Sequence, residues 1–148
     1  MKKKVAINGF GRIGRLVYRA FLERLNEFSN QYEISFINDL ADIDSNIHLL
    51  KYDTIHGPLN KEINKISNEQ FSIGKNTVTV TSERNRIDLK WKDKNVDVIL
   101  ECTGVFASKE KAMSHIESGA SKVIVSAPCS GADITVSYTH LTLPTNGT

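Results

Sequence analysis

Three glycines near the start constrain this chain more than any other feature. They stand in Gly9-Phe10-Gly11-Arg12-Ile13-Gly14, the spacing G-x-G-x-x-G. Just before them Val5, Ala6 and Ile7 form a short apolar run, the pattern of a strand buried on both faces. Just after them the period changes: Ile13, Leu16, Val17, Ala20, Phe21 and Leu25 recur at spacings of three and four. That predicts a helix with these residues inward and Arg12, Arg15, Arg19, Glu23 and Arg24 mainly outward. In such a strand–turn–helix unit the first glycine permits the turn. The second lets a phosphate approach the backbone, and the third lets helix and strand pack closely. Free N–H groups near Arg12 and Ile13 would then face an anion with the positive end of the helix dipole. A plain structural turn with no ligand has the same spacing.

The alternation continues along the chain. Ile34-Ser35-Phe36-Ile37 is a second apolar strand stopped by Asn38-Asp39, and a weaker helical pattern follows through Ile43, Ile47 and Leu50, with Asp42 or Asp44 able to cap it. Residues 77–81 and 87–91 each alternate with period two, which predicts two antiparallel strands forming an excursion from the main sheet. Residues 96–100 and 123–125 read as further parallel strands. Between them Ser108 opens a helix that Gly119 stops. Apolar strands alternating with helices predict an α/β fold: a Rossmann-type doubly wound parallel sheet with an antiparallel strand excursion and helices on both faces.

An acid at the end of the second strand would complete a dinucleotide fingerprint. Asp39 follows the last glycine by 25 residues. A carboxylate there accepts hydrogen bonds from ribose hydroxyls and repels a 2′-phosphate, which favours NAD over NADP. The alternative for Asp39 is an Asx turn or a helix cap. Composition narrows the remaining classes. With 40% hydrophobic residues and two cysteines, the 148-residue chain is neither disordered nor a disulfide scaffold. Lys and Arg number 19 against 17 Asp and Glu, a balance that gives no reason to expect nucleic acid. No apolar run is long enough to span a membrane, and Met1-Lys2-Lys3-Lys4 does not open a secretory signal, so the cytoplasm is the expected compartment.

Longer strings carry a resemblance. Ile7-Asn8-Gly9-Phe10-Gly11-Arg12-Ile13-Gly14-Arg15 is followed in order by Phe36-Ile37-Asn38-Asp39-Leu40, Leu50-Lys51-Tyr52-Asp53-Thr54-Ile55-His56-Gly57 and Ser82-Glu83-Arg84-Asn85. Glu101-Cys102-Thr103-Gly104-Val105-Phe106 and Val123-Ile124-Val125-Ser126-Ala127-Pro128 complete the series. Over about residues 1–135 the chain resembles the N-terminal NAD-binding domain of the phosphorylating glyceraldehyde-3-phosphate dehydrogenase family. The resemblance implies cofactor-binding positions at Asn8, Gly9, Phe10, Gly11, Arg12, Ile13, Gly14, Asp39, Arg84, Thr103, Gly104, Phe106 and Ser126. It places pyrophosphate on the N–H groups of Arg12 and Ile13, adenine ribose on Asp39, and adenine near Arg84. The Thr103-Gly104 and Ser126 positions would line the cleft toward the nicotinamide. It also implies a small phosphorylated aldehyde as substrate and a homotetramer for a full-length protein. The related erythrose-4-phosphate dehydrogenase, or a non-catalytic dinucleotide-binding module, remains an alternative.

The family's catalytic cysteine lies in a Ser-Cys-Thr-Thr-Asn stretch, and no such string occurs in these residues. No catalytic or metal-binding residue is therefore assigned. Cys102 and Cys129 are expected to be small packing or loop residues, His56 to shape a loop, and His48 and His115 to lie on helices near the surface. Trp91 is expected to pack the excursion against the sheet. Residues 136–148 match nothing in the family. They read as a tail derived from a sequencing adaptor, to be left out of fold reasoning.

Overall fold

A computed structural model describes residues 3–24, 31–53, 57–59, 61–83, 89–102 and 115–125. β1 (Lys3–Asn8) leads through the glycine turn into α1 (Arg12–Glu23), and the chain returns as β2 (Tyr32–Asn38). After α2 (Ile43–Lys51) comes a small hairpin of β3 (Tyr52–Asp53) and β4 (Gly57–Pro58). Then follow β5 (Ile63–Lys65), β6 (Gln70–Ile73), β7 (Asn76–Thr81), β8 (Val98–Glu101) and β9 (Lys122–Val125). The main sheet has the order β5-β6-β7-β2-β1-β8-β9. Its five strands from β7 to β9 are parallel, and β5 and β6 extend it antiparallel. The chain runs outward from β1 through β2 to β7, then crosses back to β8 on the other side of β1. That reversal opens a crevice at the carboxyl ends of β1 and β8. The doubly wound fold with an antiparallel excursion is as expected.

Strand alternation sends side chains to two cores on opposite faces. Val5 and Ile7 join Tyr18, Leu22, Ile43 and Leu50 on the α1 face. Ala6 and Ile99 join Leu89, Trp91, Ala120 and Val123 on the other. In β2 the parity resets at a bulge: Val5 pairs with Ile34 but Ala6 with Phe36, leaving Ser35 as the extra residue. Ile34 and Ile37, three apart, can therefore share one face while Phe36 turns to the other.

Three expectations are corrected. The face of α1 pressed on the sheet is Gly14, Tyr18, Arg19 and Leu22, whereas Ile13 is 49% exposed. The inner stripe starts from a glycine and includes an arginine, so a count of apolar side chains overlooks it. Val17, Ala20 and Phe21 instead wall an apolar groove over Val5, Val98 and Leu100. Arg19, expected outward, is buried; its Nε and Nη2 donate to the Leu50 carbonyl at 3.1 and 2.8 Å, and Nη2 also reaches that of Lys51. A cation thus satisfies the last carbonyls of α2. The antiparallel partner of β7 is β6, joined through Gly74 at φ +61°, and not residues 87–91. Residues 87 and 88 lie outside the described residues. Leu89 and Trp91 are buried in a compact turn interrupted by positive φ at Lys90 and Asn95, incompatible with a strand.

Residues 115–117 are helical and end as expected at Gly119, whose φ is +117°. Gly119 N–H donates to Ile116 O and Ala120 N–H to His115 O, a complete Schellman closure. A Cβ on Gly119 would sit 2.5 Å from the Lys92 nitrogen. Gly119→Ala is therefore expected to cost about 2–3 kcal/mol, read as a lowered urea midpoint. Burial pushes the Tyr18 phenol up, against a smaller lowering by its bond from Asn76. The folded chain then resists ionising where the unfolded chain does not, so this contribution is full below about pH 10 and is lost as pH rises beyond it. Tyr18→Phe should flatten the decline of stability above about pH 10 in denaturation measured across alkaline pH.

Candidate functional site

β1 ends at Asn8, and Gly9 at φ +94° turns the chain away from the sheet. Gly14 then lets α1 sit against this turn: a Cβ on it would fall 2.3 Å from the Gly9 carbonyl oxygen and 3.2 Å from Ile7 Cγ2. Gly11, the residue before α1, differs. Its φ is an ordinary −77° and a Cβ there would meet none of the described residues within 4 Å. The fold does not need glycine at Gly11; a side chain there would obstruct only what approaches the helix start. The first bond of α1 runs from Arg15 N–H to Gly11 O, so the N–H groups of Arg12, Ile13 and Gly14 precede the first intrahelical donor. The cap residue Gly11 has no side chain to offer them, and the first turn carries no acid. α2 makes the contrast: Asp42 accepts from Ser45 N–H at 2.7 Å, and Asp44 lies in its first turn. Bonds from the Ser45 backbone and hydroxyl, with some help from Lys65, hold the Asp42 carboxyl below its usual range. One helix start is closed by the Asp42 carboxylate, and the other begins at a glycine with no acid in its first turn.

Asp39 stands beside that opening. Its Oδ1 accepts from Phe10 N–H at 2.9 Å and its Oδ2 from Ala41 N–H at 3.1 Å. The second contact is an Asx turn, and the first ties the acid to the glycine turn. Each carboxylate oxygen retains acceptor capacity for a further donor. Asp39 is half-buried, while Arg12 and Ile13 are exposed. Asn8 and Phe10 are buried beneath the turn, Phe10 packing edge-on against Tyr18. Arg84, Thr103, Gly104, Phe106 and Ser126 lie outside the described residues, as do His56, Cys129 and the tail from 136 to 148.

Below the turn runs a largely buried polar row that the sequence pattern did not reveal. Asn8, Asn38, Thr81 and Glu101 are the last residues of β1, β2, β7 and β8, and each is in register with its neighbour. Asn8 Nδ2 donates to Glu101 Oε1 at 2.6 Å, and Asn38 Nδ2 donates to Asn8 Oδ1 at 2.8 Å. Thr81 Oγ1 donates to Asn38 Oδ1 at 2.6 Å. Beyond Glu101 the row reaches His115, expected near the surface but wholly buried. Trp91 Nε1 can only donate, and it meets His115 Nδ1 at 3.0 Å. The single imidazole proton of that tautomer is on Nε2, which faces Glu101 Oε1 at 2.7 Å. The available signal was that the apolar runs of β1, β2 and β8 each end in a polar residue.

A family described as "Glyceraldehyde 3-phosphate dehydrogenase, NAD binding domain" matches residues 3–109. The chain belongs to this family. Among curated relatives it is 45% identical over 138 residues to a glyceraldehyde-3-phosphate dehydrogenase of Xanthobacter flavus, covering 93% of this chain and 40% of that protein. It is 43% identical over 145 residues to one of Cereibacter sphaeroides, covering 97% of this chain and 42% of the relative. For one of Thermotoga maritima the identity is 47% over 133 residues, 90% of this chain and 39% of the relative. The chain thus spans about two fifths of the length of the curated relatives it matches. It carries the NAD-binding domain of an oxidoreductase family, and NAD is that family's cofactor. No helix among the described residues is long and apolar enough to cross a membrane, and no His, Cys, Asp and Glu group among them could hold a metal ion.

The two glycines should separate packing from binding. Gly14→Ala is expected to cost about 3 kcal/mol, because the clash is with backbone. Gly11→Ala should change stability by less than about 1 kcal/mol. Thermal and urea unfolding of the two variants would check the contrast.

Proposed function

We propose that this chain holds NAD for a phosphorylating glyceraldehyde-3-phosphate dehydrogenase. The observation that carries the reading is the uncapped start of α1, opened by Gly11 and flanked by Asp39. In this reading the N–H groups of Arg12 and Ile13 donate to the pyrophosphate, and Gly9 and Gly11 let it approach. Asp39 accepts from the adenine ribose hydroxyls. Asn8, Phe10 and Gly14 act from behind, by fixing the turn. Arg84 borders the adenine, while Thr103, Gly104, Phe106 and Ser126 line the path to the nicotinamide. When bound, NAD supplies the acceptor for a hydride.

Oxidation of a small phosphorylated aldehyde with capture of phosphate belongs, in this reading, to a full-length homotetramer acting in the cytoplasm. The cysteine nucleophile would come from residues outside these 148, and residues 136–148 take no part in the site. The NAD-binding unit itself is residues 1–135. Purified and free of contaminants, the 148-residue chain should give no aldehyde- and phosphate-dependent NADH; production of NADH would overturn that assignment.

Titration with each cofactor tests the binding site. The chain should bind NAD more tightly than NADP. Asp39→Ala should weaken NAD by about tenfold or more, the loss of a charge-assisted contact, while weakening NADP less. Unchanged affinity for both cofactors would remove Asp39 from the site.

A further inference from the structure

Asn38 touches no cofactor in the proposed site, yet its side chain is fully engaged. Asn38 is 4% exposed. Its Nδ2 donates to Asn8 Oδ1 at 2.8 Å and to the Glu83 carbonyl at 2.9 Å. Its Oδ1 accepts from Thr81 Oγ1 at 2.6 Å and from Glu83 N–H at 2.8 Å. Two donors and two acceptors are all that a carboxamide has, and all four are used.

Two of the four go to the backbone of one residue. By gripping both the N–H and the carbonyl of Glu83, Asn38 does for the loop after β7 what a further strand would do. The parallel ladder from β2 to β7 runs through the pair Asn38 and Thr81, and the amide carries it two residues further. Asn38 is also bonded in sequence to Asp39, whose N–H donates to the Thr81 carbonyl at 2.9 Å. The Asn38 carbonyl accepts from Gly9 N–H at 2.7 Å. The glycine turn, the acid and the loop after β7 therefore all begin from atoms fixed by one buried residue.

Shape and donor count exclude substitutes. Aspartate is isosteric but has no N–H to offer Asn8 Oδ1 and Glu83 O, and would set carboxylate oxygens against two acceptors. Serine is too short to reach both neighbours, and leucine would release the Glu83 backbone and leave the Asn8 amide oxygen buried without this partner.

We propose that Asn38 is a positioning residue for cofactor specificity. It fixes the spacing between Asp39 and the loop at Glu83, and thereby sets the preference for a free ribose 2′-hydroxyl over a 2′-phosphate. This rests on the proposed NAD site. Asn38 touches no cofactor in it and acts through Asp39. A carboxylate discriminates a hydroxyl from a phosphate only at a fixed distance, so a loosened Asp39 loses NAD contacts and repels NADP less.

The test is the ratio of NADP to NAD dissociation constants in the 148-residue chain, with unfolding midpoints measured alongside. Loss of folded fraction scales both constants together and leaves their ratio unchanged. Asn38→Asp should reduce the ratio by about 3–10-fold, and Thr81→Val, a milder cut that removes one bond to the amide, should reduce it by about 2–3-fold. Trp91→Phe removes a row bond at the far end, on His115; it should lower stability while keeping the ratio within about twofold. If Asn38→Asp does not fold, Thr81→Val alone decides. An unaltered ratio in the Asn38 and Thr81 variants, or an equal shift in Trp91→Phe, overturns the proposal. A wild-type chain that binds neither cofactor overturns the NAD site itself, and this inference with it.

Discussion

The contact between Gly14 and the Gly9 carbonyl sets what the rest of the molecule can do. A helix cannot lie this close to the turn that feeds it unless the facing residue lacks a side chain. Once α1 is seated there, Tyr18 and Leu22 follow one and two turns later on the same line, and the first core forms around them. The same seating brings Arg19 over the end of α2, where its guanidinium meets carbonyls the helix cannot satisfy itself. It also sets the first N–H groups of α1 just beyond the end of β1. Helix packing, the neighbouring helix's cap and the anion-facing geometry thus share one steric origin.

The crevice exists because the strand order reverses there. Helical cover is on opposite faces on the two sides of β1, with Tyr18 and Leu22 above one half and His115 and Ile116 below the other. The bulge at Ser35 matters here: without it Ile34 and Ile37 would point to opposite faces, and the α1 core would lose one of them.

Much of this was legible in the residues. The glycine spacing between an apolar run and a helical period gave β1, the turn and α1, and the polar stop after Ile37 located Asp39. Order and type of most strands followed from apolar runs of the right length. The inward face of α1 did not follow, because close packing there is achieved by absence of a side chain, which no hydrophobicity pattern registers. Arg19 and His115 look like surface residues by type; only three-dimensional partners, the Leu50 carbonyl and the Glu101–Trp91 pair, make their burial tolerable. Residues 87–91 alternate as a strand would, yet Leu89 and Trp91 are both inward because a turn, too, can send alternate side chains to one core. The candidate site was legible where it depends on backbone and hidden where it depends on the polar row.

That row raises a question of energetics. Hydrophobic residues at the ends of four parallel strands would be easier to bury, since buried amides and carboxylates gain little over apolar packing even when fully bonded. Apolar contacts, however, are tolerant of small shifts, and the loops that leave these strands must start from defined points. Hydrogen bonds at 2.6–2.8 Å among Glu101, Asn8, Asn38 and Thr81 tie adjacent strand ends side chain to side chain, in addition to the backbone ladder. The direction of each bond is forced, because Trp91 only donates and the Glu83 carbonyl and N–H fix which end of the Asn38 amide faces Asn8. A flipped Asn8 amide would set its carbonyl against the Glu101 carboxylate and its NH₂ against that of Asn38. One arrangement of the row is therefore favoured over its alternatives, and with it one placement of the Gly9 turn relative to Asp39. Stability given up at the ends of the strands is exchanged for a single geometry above them.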